Sequence, residues 1–325
     1  PSTTGREGSL LLESDQPIEG YVSLIDNATH APSILDRTRP GASQLILLSS
    51  ANTGPFQSNL SVVNISPIST NVTITSLNRE TGQPQGVPLK NIGVAPYGFV
   101  TFQNILEALS ISENFGPIEI HSDNGALLTA TSQVSGMNKG TGGFFPSLPR
   151  NSGSMTEFIP FVVDTETYRT NLGLNNLGSE VAEIQISLMG EDGHSIASNA
   201  SPILVPPLGL LQINNVIRSL VSQSSDPARP LRQGYLKIRS NTPIKAFATQ
   251  IDNWTNDPSI EISVSQGSPH LLIKSTSSLN YQSTIAVVNL SDQPNTVEFT
   301  ARRGGDSRNG AVTGARTMTI PANGC

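Results

Sequence analysis

Short runs of Val, Ile and Leu alternate with Ser, Thr and Asn along the chain, and Gly or Pro interrupts them every few residues. Side chains on a pleated strand point to opposite faces in turn, so this period of two predicts half-buried β-strands rather than helices. Between residues 158 and 251 the pattern predicts seven strands, at 158–163, 170–175, 183–189, 203–205, 209–213, 235–239 and 244–251. Asp192-Gly193 marks a hairpin turn, and the stretch NRETGQPQG from Asn78 marks another. One helix interrupts the strands. Val216, Ile217, Leu220 and Val221 fall on one helical face, and Ile105, Leu106 and Leu109 repeat that face earlier in the chain.

The pattern also recurs at long range. SLIDNATHAPSI from Ser23 returns as TQIDNWTNDPSI from Thr249; Asp26 and Asp252 are 226 residues apart, twice 113. SNLSVVNIS (Ser58), TNLGLNNLG (Thr170) and STIAVVNLS (Ser283) form a second series, with Asn59, Asn171 and Thr284 spaced by 112 and 113. Segments opening at Gly8, Gly116 and Gly234 form a third, and runs opening at Leu45, Phe158 and Leu271 form a fourth with a spacing of 113. Four series on one period predict a tandem array. The copy of the Asp-Asn turn expected near Ser132 is replaced by the Gly-rich GMNKGTGGFF. Seven short strands in about 110 residues match an immunoglobulin-like β-sandwich, without the Cys–Trp–Cys hallmark of antibody domains. The expected fold class is therefore all-β: tandem immunoglobulin-like sandwich modules, each with one short crossover helix, in an elongated array. Pro-containing linkers at 37–43, 144–154 and 263–269 divide the chain. Complete modules are expected at 41–150 and 151–264, the C-terminal half of a module at 1–40 and the N-terminal half of another at 265–325.

The terminal halves are complementary: last strands at the start, first strands at the end. A half-sandwich leaves strand edges and apolar side chains uncovered. Two expectations follow. The chain is a window on a longer array, or copies assemble head to tail by strand complementation between split modules, which gives an open filament. Joining tail to head falls about a dozen residues short of the period, which favours the window.

Charged residues make up 14% of the chain, against about 25% in ordinary globular proteins, and net charge is −6. This balance offers no basic patch for nucleic acid beyond Arg302-Arg303. No apolar run approaches the ~18–20 residues of a membrane span. No basic-then-apolar leader opens the chain, and Pro1 is an unusual first residue, as in a mature or excerpted chain. The single cysteine, Cys325, excludes an intrachain disulfide and a thiolate metal cage. Such a charge-poor, Ser/Thr/Asn-rich β composition is expected at a cell surface. The stretches YRTNLGLNNLG, TIPANG and QGYLKIRSNTPIKAFATQIDN, with their period, resemble immunoglobulin-like repeat modules in large secreted proteins of environmental bacteria. The resemblance spans essentially the whole chain and implies a secreted, multi-module surface protein. It brings no catalytic residues. The second module departs from it most, at GMNKGTGGFF.

Candidate chemistry is sparse. His30, His121, His194 and His270 lack metal-ligand spacing, and no G-x-S-x-G elbow occurs. KGTGGFF at Lys139 lacks the Lys-Ser/Thr of a phosphate loop. DNWTNDPS gathers Asp252, Asn253, Asn256 and Asp257, oxygen donors of the kind that hold Ca²⁺, or Asx-turn residues leading into Pro258. Asp252 and Asp257 are the candidate metal ligands, and Ca²⁺ is the one cofactor considered. Trp254 is the candidate ligand contact, by stacking on a sugar ring, or else a packing residue against a neighbouring module. RRGGDSRNG at Arg302 is a hairpin tip whose extra Gly separates it from an integrin-type tripeptide. Seven N-x-Ser/Thr sequons lie at Asn27, Asn59, Asn64, Asn71, Asn199, Asn253 and Asn289; Asn64 and Asn289 share one module position, so glycans there would be periodic. The expected function is non-enzymatic and structural: an extracellular rod or filament whose partners are copies of the chain or adjoining modules. The alternative is a cell-surface adhesin or carbohydrate-binding stalk that uses module loops.

Overall fold

The computed structural model describes residues 8, 10, 15, 21–25, 32–36, 41–136, 142–223, 233–266, 285–303 and 310–325. The chain is predominantly β, folded in antiparallel sheets. A short ladder joins β1 (Tyr21–Ile25) to β2 (Pro32–Asp36). The first large sheet contains β3 (Gln44–Thr53), β4 (Phe56–Asn64), β5 (Thr70–Leu77), β6 (Pro84–Val94), β7 (Phe99–Phe102), β8 (Asn114–Ser122), β9 (Leu128–Gly136), β10 (Gly142–Pro146) and β11 (Leu148–Pro149), with helix α1 (Ile105–Ala108) between β7 and β8. The second contains β12 (Ser154–Val163), β13 (Tyr168–Asn176), β14 (Ala182–Met189), β15 (Ser195–Ser198), β16 (Ile203–Val205), β17 (Leu210–Ile213), β18 (Gln233–Asp252) and β19 (Pro258–Ile262), with α2 (Val216–Val221) after β17. A last ladder joins β20 (Asn295–Arg302) to β21 (Val312–Ile320).

The two large sheets have matching ladders. Leu60 of β4 lies opposite Phe102 of β7 and Ser132 of β9; Leu172 of β13, 112 residues on, lies opposite Ile213 of β17 and Ala248 of β18. Val72 of β5 faces Ser122 of β8, and Ile184 of β14 faces Ser240 of β18. Phe145 of β10 faces Ser132, and Glu261 of β19 faces Ala248. The outer hairpin recurs three times, pairing Thr70 with Val94, Ala182 with Val205 and Asn295 with Ile320.

Alternation accounts for the cores. Along β4 the residues Ser58, Leu60, Val62 and Asn64 point inward and are buried. Leu60 and Val62 share one apolar cluster with Val72 and Ile74 of β5, Ile118 and Ile120 of β8 and Leu128 of β9, so two groups of strands enclose one core. Leu172, Ile184, Ile186, Leu236, Ile238 and Ile244 form the equivalent cluster of the second sheet. Ile105, Leu106 and Leu109 seal the first cluster, and Val216, Ile217 and Leu220 the second, as the helical periodicity predicts. The caps also repeat: Asn104 and Asn215, each at φ 47°, accept from the backbone N–H three residues on. Their own amides are held by Asn59 Oδ1 (3.1 Å) and Asn171 Oδ1 (2.9 Å).

Several expected elements differ. The strands expected at 235–239 and 244–251 form one strand, β18. Two fewer residues separate Ser240 from Ile244 than separate Ser122 from Leu128, so the chain crosses between strand groups without looping out. Pro243 does not break it, because its carbonyl is what is needed there, accepting from the Leu177 N–H (2.9 Å). β15 is the return strand of the hairpin marked by Asp192-Gly193, and β19, a strand not expected from the sequence, adds to the same sheet. Part of the Gly-rich stretch and linker after Ser135 forms β10 and β11, because β9 offers an open edge and Phe145 is buried there.

Candidate functional site

The most elaborate arrangement lies where the second sheet meets the first. The sequence writes APYG at 95–98, PPLG at 206–209 and PANG at 321–324. Each is a tight turn closed by a glycine N–H on the carbonyl three residues back, at 2.9, 2.9 and 3.0 Å. The third residue has positive φ in every copy: Tyr97 54°, Leu208 61°, Asn323 51°. A proline or alanine at the second position and left-handed backbone at the third define a type II turn. A non-glycine residue there is strained, so tertiary contacts must hold it.

Those contacts are visible in two copies. The 206–209 turn seats on the β5–β6 hairpin tip, where Leu210 N–H donates to Arg79 C=O (2.8 Å). The 321–324 turn seats on the β14–β15 tip, where Cys325 N–H donates to Glu191 C=O (3.2 Å). Both tips carry a glycine at positive φ, Gly82 (68°) and Gly193 (81°). A Cβ on either would overlap a backbone carbonyl of the seated turn, of Pro207 or Ala322 respectively. The guanidinium of Arg79 lies 4.3 Å from the Phe115 ring centroid and braces the first tip.

Apolar packing completes each junction. Leu177, Leu210, Phe247 and Ile262 of the second sheet belong to the apolar cluster of the first. The Phe145 and Phe247 rings meet edge to face, 4.9 Å apart at 87°. Asn175 Nδ2 donates to Leu48 C=O (2.9 Å), and Arg150 bridges Glu119 Oε1 (2.7 Å) and Leu177 C=O (2.9 Å). At the second junction Val288, Leu290 and Cys325 pack on Phe158, Met189 and Tyr235. Tyr235 Oη donates to Asn323 C=O (2.6 Å), and burial pushes its pKa up to about 12. Lys237 Nζ donates to Asn323 Oδ1 (3.1 Å). Sequence reasoning missed these residues, although the spacing of the three Pro/Ala-x-x-Gly turns was there to find.

The Asp252 loop is a built turn. Asp252 Oδ1 accepts from the N–H groups of Trp254 (2.8 Å) and Thr255 (2.9 Å), which hold its carboxyl below the usual Asp range. Arg169 Nη1 donates to Asn253 Oδ1 (2.6 Å) and Nη2 to Asn256 Oδ1 (3.4 Å), so a guanidinium already occupies these oxygens. Burial raises the Asp257 carboxyl, opposed by the Gly142 N–H, and the nearby Asp252 charge adds to the rise. Among the described residues no three His, Cys, Asp or Glu gather in a metal-binding group. Asp252 thus makes the Asx turn that one of the two readings of this loop expects. Trp254 is 81% exposed. Asp26 and Asn27 lie outside the described residues, as do His30, Lys139 and His270.

The sequon positions have structural tasks. Asn64 Nδ2 donates to the carbonyls of Ile68, Val94 and Ala95, and its Oδ1 accepts from Ser66 N–H (2.9 Å). Asn289 makes the same bonds two periods on, and Asn176, one period on, makes all but the last carbonyl bond. All three are buried latches tying β4, β13 and their later counterpart to the neighbouring strand and loop. A glycan on Nδ2 of Asn64 or Asn289 would displace these bonds, so neither is read further as an attachment point. Asn199 is buried likewise, and Asn253 Nδ2 donates to the carbonyls of Thr165 and Glu166. Asn71 Nδ2 donates to Asp123 Oδ2 (3.0 Å) and Asn59 serves the α1 cap. The remaining histidines are apart: His121 lies on β8, and the ring of exposed His194 lies 3.4 Å from the Asp192 carboxylate.

One buried charge pair stands out. Lys245 Nζ lies 3.0 and 3.2 Å from the two Glu157 oxygens, and both side chains are buried. Burial raises the Glu157 pKa and the Lys245 charge opposes that rise. Ser263, also buried, adds a side-chain hydrogen bond to Glu157. No helix among the described residues is long and apolar enough to cross a membrane. No protein-family model matches the chain, and no curated protein matches it in sequence.

Proposed function

We propose that the chain is a non-enzymatic structural protein of an extracellular surface, a rod of tandem immunoglobulin-like sandwich modules that spaces or coats. The observation that carries this reading is the repeated junction. The same turn, hairpin glycine and backbone hydrogen bond join successive units twice, with an apolar patch under each. A junction that recurs with the same parts applies the same rotation and translation each time, which generates a linear array. Several simultaneous contacts per junction make it stiff rather than a string of hinged beads. Small-angle scattering of the full chain tests this: the expected profile is a rod with one long dimension. A profile of units tumbling independently, or packed side by side, would overturn it.

A second reading, an adhesin or carbohydrate-binding stalk, is favoured by Trp254 alone. Its indole stands exposed on a loop fixed by Asp252 and Arg169, as a sugar-stacking platform requires. Retention of the protein on immobilised glycans, lost in Trp254→Ala without loss of the rod, would favour this second reading. Equal retention of both forms would remove it.

A further inference from the structure

The buried pair of Lys245 and Glu157 has a third neighbour. On the β13–β18 ladder Lys245 lies directly opposite Asn175. Opposed side chains share one face of a sheet, with Cβ atoms about 4.5–5.5 Å apart, so the lysine's four-carbon stem is long enough to bring its amine to the asparagine's amide. Asn175 is 1%, Lys245 6% and Glu157 0% exposed. The Asn175 amide is held from one side only. Its Nδ2 donates to Leu48 C=O (2.9 Å), and its Oδ1 is buried with no hydrogen-bond partner among the described residues. A buried amide oxygen without a donor is rare in a folded protein, because its lost hydration goes uncompensated.

The fold does not call for these three residues. The first unit builds the same ladders with Val63 opposite Thr129 and Leu45 opposite Ile120; the second has Asn175 opposite Lys245 and Glu157 opposite Ile238. Leu45 is fully buried, so an apolar side chain fills that place well. A lysine and a carboxylate put there instead carry a desolvation cost that apolar side chains do not.

Together the three groups are the reagents of an amide exchange. An amine is a nucleophile only once it has lost its proton, and a carboxylate in contact can take it. Glu157 is placed for this, its two oxygens 3.0 and 3.2 Å from Nζ, with Ser263 fixing it by a side-chain hydrogen bond. Burial raises the Glu157 pKa, which suits a carboxyl that must hold a proton and pass it on.

We propose that Lys245 and Asn175 join in an intramolecular isopeptide bond, with Glu157 as the proton carrier. Nζ gives a proton to Glu157, and its lone pair attacks Asn175 Cγ. The C=O pair moves onto Oδ1, which takes that proton from Glu157. In the tetrahedral intermediate Glu157 takes a second proton from Nζ and delivers it to Nδ2. The Cγ–Nδ2 bond breaks, the C=O bond re-forms, and Oδ1 gives up its proton through Glu157 to the departing ammonia. One Nζ–Cγ bond is made, one Cγ–Nδ2 bond is broken, ammonium leaves, and Glu157 ends ionised as it began. No atom changes oxidation state. The link forms once and turns over no substrate. It ties β13 to β18 inside one unit, so it stands whether or not the units form a rod.

The test is intact-mass spectrometry of the full chain under denaturing conditions, followed by peptide mapping. Wild type is expected to be lighter than its sequence by one ammonia, and its digest to contain a branched peptide joining the segments around residues 175 and 245. Lys245→Arg, Asn175→Ala and Glu157→Gln, each checked for the β circular-dichroism spectrum, are expected to show the full mass of their sequences and no branched peptide. A wild type of full mass overturns the proposal, and that measurement needs no variant to fold. An ammonia loss that persists in Lys245→Arg overturns it as well, since ring closure at an Asn-Gly pair gives the same mass without the link. A folded Glu157→Gln chain that links like wild type overturns the proton-carrier role.

Discussion

Asn64, Asn176 and Asn289 show how much one side chain can hold. Each amide reaches carbonyls on a facing loop and strand, while its oxygen closes the local turn. Removing the amide of Asn176 leaves Glu180 C=O, Val205 C=O and Gly178 N–H without that partner in a dry site. At 1–3 kcal/mol per unsatisfied group, Asn176→Ala is expected to cost about 3 kcal/mol, read from denaturant unfolding. The buried pair behaves differently, and its energetics are read in the unlinked Asn175→Ala chain. There, Lys245→Met leaves Glu157 unpaired and is expected to cost about 3–5 kcal/mol near neutral pH, with Lys245→Met/Glu157→Met recovering most of it. The Glu157 pKa is raised above the ordinary 4.5 in the folded state, so the folded form binds the extra proton. Its contribution to stability is therefore greatest below the unfolded pKa and is lost as pH rises through the folded one. In Lys245→Met the opposing charge is gone and that slope is steeper. Thermal melts that shift upward on acidification more with Lys245→Met than without it are the expected result; parallel shifts would refute it.

At the scale of elements, the hairpin turns and most strands of the second sheet were legible, and β19 and the merging of two strands into β18 were not. Alternation placed β13, β14, β16 and β17 within a residue or two, and the helical face of α2 emerged as read. Strand β19 was missed because PSIEI is short and follows a turn-rich loop. It is a strand because Phe247, Thr249 and Ile251 offer it an edge. Asp192-Gly193 did mark a hairpin, but the left-handed residue is Gly193 alone, following a turn closed by Gly193 N–H on Gly190 C=O (3.1 Å). That glycine serves the junction as well as the turn. Gly193→Ala, like Gly82→Ala, introduces positive-φ strain of about 1–2 kcal/mol and drives a methyl into the seated turn. The expected outcome is loss of amide protection at Cys325 or Leu210 respectively, larger than the change in the hairpin's own ladder.

For the whole molecule, the junctions decide whether units unfold together. The first buries Leu210, Leu177 and Phe247 with the core of the preceding unit. Leu210→Asp places a carboxylate in that patch, which costs several kcal/mol unless the junction opens. Opening is the cheaper response, so the variant is expected to keep its sheets and lose the coupling. Calorimetry should then resolve two transitions where wild type shows one cooperative event across the junction. A single transition lowered in temperature would mean that the units are not separable.

The β character, the period and the helical plugs can be read from the order of residues alone. Each follows from local alternation or self-similarity, which any window of the chain exhibits. That order left the loop at Asp252 and the buried asparagines ambiguous, because Asp and Asn serve turns, metals, glycans and hydrogen-bond latches with the same letters. The fold separates these uses, because it shows which oxygen meets Arg169 and which amide is buried among carbonyls. The same is true of the junction. The Pro/Ala-x-x-Gly turn is visible in the chain three times, yet at both junctions its purpose depends on a glycine more than a hundred residues away, and proximity across that distance is a property of the fold.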